Sequence, residues 1–115
     1  MLKQIELFIL EKDEPVTSLF FSAREHILNY DPNITEAYKF NMPFFYYKDE
    51  RFCYLSVYKK DGMPYIGFVE GKRFEHPALI QGERARIKIF PLDPGADLPF
   101  DMIDSVLKAA LNLYK

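Results

Sequence analysis

The 115-residue sequence has no tryptophan, one cysteine, two histidines and five glycines, and neither sign of charge dominates it. The missing tryptophan excludes nothing, but the other shortages do. A lone Cys53 forms no internal disulfide, and its apolar neighbours mark it as a small buried hydrophobe suited to a reducing compartment. His26 and His76 have no metal-ligand spacing to each other or to Cys53, and each reads as a surface histidine. There is no glycine-rich phosphate loop, no nucleophile elbow and no H-E-x-x-H motif. A formal charge of −2 supplies no general attraction to phosphate backbones or anionic membranes, which argues against nucleic acid and membrane as partners. No apolar run approaches membrane-spanning length, and the first residues are acidic where a signal peptide is basic, so a soluble cytoplasmic protein is expected.

What is present is a large apolar and aromatic complement, 49% and 17% of the residues, enough for one well-filled core and hence a single domain over 1–115. Leu2, Ile5, Phe8 and Ile9 recur at helical spacing over residues 2 to about 11. Pro15 suits the first turn of a second helix with Asp13 and Glu14 placed to cap it. Its stripe is Val16, Leu19, Phe20, Ala23 and Ile27, and "DPN" at 31–33 ends it.

From 34 to 69 aromatic and β-branched residues alternate with polar turns, predicting antiparallel strands near 35–40, 43–47, 51–59 and 63–69. Asp61 and Gly62 are expected to make a tight hairpin. Residues 70–83 read as a loop with a helical turn at "PALIQ", "ARIKIF" as a last strand, and Pro99 as the opening of a closing helix with a stripe of Phe100, Ile103, Leu107, Ala110 and Tyr114. The order predicts an α+β fold: an antiparallel meander of about five strands with N-terminal and C-terminal helices packed on one face.

Strand side chains alternate between two faces, so each strand can be split. Cys53, Leu55 and Val57 should lie beneath the helices, with Ile66, Phe68, Ala85, Ile87 and Ile89. The opposite face then carries Phe52, Tyr54, Ser56 and Tyr58, with Tyr65 and Gly67, and Arg84, Arg86 and Lys88 from the last strand. The stretch "KFNMPFFYY", 39–47, adds either Phe44 and Tyr46 or Phe45 and Tyr47. Tyrosine offers a flat apolar body with a hydroxyl, and arginine stacks on rings while presenting a planar donor fork. Tyr46, Tyr54, Tyr58, Tyr65, Arg84 and Arg86 are therefore the candidate ligand-binding residues, for a small molecule or a protein partner. An ordinary half-wet sheet face, or one closed by a homodimer, is the alternative. No catalytic residue is singled out and no cofactor is implied; an enzyme would need a tyrosine with a lowered pKa beside Arg86.

Carboxylates gather at Glu6, Glu11, Asp13 and Glu14 and again at Asp93, Asp97, Asp101 and Asp104. Helix capping and helix-dipole interactions account for both positions, while hard cations are the other chemistry carboxylates serve. Finally, "KFNMP", "GFVEG", "IKIFPLD" and "LPFDMI", anchored by Glu36, Met42, Pro43, Gly67, Phe68 and Pro99, resemble the YdhG-like family, domain of unknown function 1801, from about residue 16 onward. The resemblance implies the same α+β architecture. Some members are described as frataxin-like iron chaperones, which makes iron binding through Asp97 and Asp101 the alternative function. Where relatives often have Gly before the Met-Pro pair this chain has Asn41, itself tolerant of positive φ. The reading preferred from the residues is a small, non-enzymatic binding domain.

Overall fold

The computed structural model describes residues 2–81 and 85–115. Among them the chain forms helices α1 (Gln4–Leu10) and α2 (Val16–Tyr30), strands β1 (Ile34–Lys39), β2 (Met42–Tyr47), β3 (Glu50–Val57), β4 (Pro64–Phe68) and β5 (Lys88–Pro91), and helix α3 (Phe100–Leu111). The strands make one antiparallel sheet in the order β1-β2-β3-β4-β5, each beside its neighbour in sequence. The expected α+β meander is the fold observed.

One main core lies between the three helices and one sheet face. Ile5 and Ile9 of α1, Leu19, Phe20, Ala23 and Ile27 of α2, and Ile103, Val106 and Leu107 of α3 are buried there against Phe45, Leu55, Ile66, Phe68 and Phe90. The stripe of α2 is the one the spacing predicts; Leu2 lies before α1 and is exposed, as is Phe100, while in α3 Val106 and Leu111 join the buried face and Tyr114 falls beyond the helix end. Pro15 sits at the N-cap rather than in the first turn, and Glu14 before it serves the helix start, its carboxylate accepting the Ser18 N–H at 2.9 Å and the Ser18 hydroxyl at 3.0 Å.

A clip fixes α2 to β1. Arg24 donates Nε and Nη2 to the two carboxylate oxygens of Glu36, each at 2.7 Å, on the helix-covered side of the strand. The hydrogen bonds from Arg24, against an opposing desolvation, hold the Glu36 carboxyl below the usual glutamate range. Its contribution to stability is therefore full above the ordinary value, about 4.3, and is lost as pH falls through the lower folded value. Urea midpoints are expected to fall on acidification across that window, and Glu36→Gln is expected to flatten the dependence; an unchanged slope in the variant would remove the clip from the account.

The turns differ from the sequence reading. Phe40 and Asn41 (φ 54° and 62°) and Lys48 and Asp49 (φ 49° and 69°) form two-residue connections in the left-handed region, the geometry that matches strand twist. Asn41 takes the conformation expected of it. At 58–63 the connection is wider: Tyr58 N–H donates to the Met63 carbonyl at 2.9 Å, and Met63 N–H donates to the Asp61 carboxylate at 3.0 Å. Only Gly62 there has positive φ, so the two-residue hairpin at Asp61 and Gly62 is not made. "PALIQ" is not helical either; Ile80 instead bridges to Ile89, and a 3-10 turn falls earlier, at Gly71–Arg73.

Candidate functional site

The sheet's second face is built from a lateral row. Phe44 pairs with Tyr54, Tyr54 with Gly67 and Gly67 with Ile89, so these four positions share one side of four strands. Gly67 has no side chain, and the Tyr54 ring lies across it: a Cβ there would sit 2.2 Å from Tyr54 Cζ. Phe44 stacks on Tyr54 at 5.1 Å between centroids, Tyr65 meets Tyr54 edge-on at 6.0 Å, and Tyr58 meets Tyr65 at 5.0 Å. Met42, Tyr46, Tyr65 and Ile87 pack around Phe44, Tyr54 and Val69 as a second, smaller apolar cluster.

Over this cluster runs a groove of about 590 Å³, with Met42, Phe44, Tyr54 and Tyr65 along the sheet and Ala85 to Ile87 opposite. A second hollow of about 580 Å³ adjoins it, sharing Phe40, Arg51, Val69 and Arg86 and reaching Asp49, Glu70 and Arg73. The groove is thus mainly apolar and the hollow beside it charged. The wall at 85–87 is fixed from behind, because Lys72 N–H donates to the Arg86 carbonyl at 2.8 Å and Gly71 presses against the Lys88 backbone.

Arg51 enters by a bulge. Phe45 pairs with Cys53 but Tyr46 pairs with Arg51, leaving Phe52 as the extra residue of β3. Phe52 turns into the helix-side core, where it meets Phe68 and Tyr114 edge-on at 6.0 and 5.5 Å. Arg51 then faces the groove side with Tyr46, its guanidinium 5.7 Å from the centre of the Phe40 ring. Tyr114 donates its hydroxyl to the Arg51 carbonyl at 2.7 Å, and burial pushes that phenol up to about 12. Arg86 is held differently, by an ion pair with Glu70, which also lies 3.9 Å from Arg73.

The structure brings Tyr46, Tyr54, Tyr58, Tyr65 and Arg86 to one face, and it resolves the open register in favour of Phe44 and Tyr46, with Phe45 and Tyr47 in the core. Arg84 lies outside the described residues. Two assignments are corrected. Phe52 is core because of the bulge, and β5 has the opposite parity: Lys88 pairs with Phe68 and Phe90 with Ile66 on the helix side, while Ile89 joins Gly67. Lys88 is buried yet satisfied, donating to the Phe74 carbonyl at 2.7 Å and reaching Glu75 at 3.1 Å. The helix-covered face is therefore partly aromatic rather than aliphatic. The described part of loop 70–83 does not cover the groove; Phe74, Ala78 and Leu79 pack on the helix-side core.

Both histidines have side-chain partners. His26 Nε2 meets Asp104 at 2.5 Å, tying α2 to α3. His76 Nδ1 accepts the Ala78 N–H at 3.1 Å, so in the neutral ring Nε2 carries the proton and donates to Ser105 Oγ at 2.9 Å, the wrong tautomer for a base toward that serine. Asp97 and Asp101 are exposed, and Asp93 and Glu6 each cap a local backbone N–H at 2.8 Å. Among the described residues no three His, Cys, Asp or Glu side chains are grouped to hold a metal ion. No described helix is long and apolar enough to cross a membrane.

No family model matches the chain, and neither does any curated protein or solved structure.

Proposed function

We propose that the protein is a binding domain and that the groove over Phe44, Tyr54 and Tyr65 takes a small organic ligand. The observation that carries this reading is the groove's lining. It is apolar and aromatic along its length, and arginine supplies its charged groups among the described residues. Concave, mostly apolar sites with a few convergent polar groups are what small-molecule binding requires. The packed floor adds to it: rings stacked or set edge-on across three strands need little reordering when a ligand arrives.

The test is a titration with the neutral solvatochromic dye Nile red, with folding checked by circular dichroism. Saturable, single-site fluorescence is expected. Ile87→Asp, which places a carboxylate in the groove wall, is expected to weaken it about tenfold or more, whereas Leu7→Asp on the exposed side of α1 leaves it unchanged. Equal binding by both variants would place the dye elsewhere and overturn the reading.

A further inference from the structure

We infer that the groove's ligand is a monocarboxylate with a planar apolar body, its carboxylate held by Arg51; this rests on the groove being the binding site. The argument begins with charge. Arg51 and Arg86 line the apolar groove and no described carboxylate does, the nearest acidic residues, Asp49, Glu50 and Glu70, lining the adjoining hollow instead. Arg86 already has a partner, the half-buried Glu70, so an incoming anion there meets a carboxylate that opposes it. Arg51 makes no ion pair among the described residues. One uncompensated positive charge at an apolar mouth matches one negative charge on an apolar ligand. A guanidinium fork fits a carboxylate with two parallel hydrogen bonds.

The backbone supports the same assignment. The bulge that extracts Phe52 into the core is what turns Arg51 toward the groove, and the Tyr114 hydroxyl fixes the Arg51 carbonyl from the other side of the sheet. Phe40 completes the mouth. It is 63% exposed and sits at φ 54°, a conformation an aromatic residue adopts at a cost, yet its ring is set against Phe44 at 5.4 Å and beneath Arg51. A planar ligand entering over Phe40 finds ring faces along its body and the guanidinium at its charged end.

The test compares naphthoate with its neutral isostere naphthylmethanol by amide NMR titration of the whole chain. The wild-type protein is expected to prefer the anion by about tenfold to a hundredfold, the range of a charge-assisted hydrogen-bond pair. Arg51→Gln is expected to erase that preference, with naphthylmethanol affinity changing far less than naphthoate affinity, Arg51→Lys to keep part of it, and Lys108→Gln, an exposed charge on α3, to keep it whole. Both ligands binding equally to the wild type, or a preference that survives Arg51→Gln, would overturn the carboxylate assignment and leave the groove reading standing. Failure of both ligands to bind would overturn the two together.

Discussion

Replacing Leu55 with alanine is expected to lower the unfolding free energy by about 2–5 kcal/mol, the range for truncating a fully buried leucine. Leu55 has no exposed surface, faces Ile66 across the β3-β4 pair and belongs to the core shared with all three helices. Tyr58→Ser, at the far end of the other face, is expected to cost clearly less, because its ring is only half-buried against Tyr65. Urea denaturation of both variants decides the matter; equal losses would mean that the two sheet faces have been confused.

Gly67→Ala is expected to destabilise the fold by about 1–3 kcal/mol, as overpacking a filled site does, and to weaken Nile red binding about tenfold. Alanine in a strand ordinarily packs better than glycine. Here the added methyl would meet two ring carbons and the hydroxyl oxygen of Tyr54 at 2.2 to 2.6 Å, and the ring is confined by Phe44 and Tyr65 on either side. It must lift off the sheet into the groove. A variant unchanged in both unfolding and dye binding would show that Tyr54 does not rest on Gly67.

Much of this arrangement is legible in the sequence, for identifiable reasons. Helical stripes such as Leu19, Phe20, Ala23 and Ile27 repeat a period that no other element produces, and the strands from 51 to 69 alternate strongly enough to place Leu55 and Tyr54 on opposite faces. The misassignments come where alternation breaks. Strict parity carried from Cys53 back to Arg51 sets an arginine among Cys53, Leu55 and Val57. That conflict is itself the sign of a bulge, and following it would have released Arg51 to the groove and sent Phe52 inward. Around β5, Ile87 just before the strand and Ile89 and Phe90 within it fit either parity; Phe90 takes the helix side, where Lys88 reaches the Phe74 carbonyl. The pairing of Arg86 with Glu70 joins residues sixteen positions apart across a loop, which no local pattern announces.

The order of the sheet has a consequence for how the chain reaches this state. Every strand pairs with the next one along, and two of the connections are only two residues long. Little chain entropy is lost in closing such short loops, so the β1 to β3 hairpins form from nearby partners, a topology that favours fast folding. The distant closure is that of α3, whose trailing Tyr114 must find the Arg51 carbonyl sixty-three residues away. Arg51's backbone is thus secured by a contact that only the docked C-terminal segment supplies, which ties the shape of the groove mouth to the placement of α3.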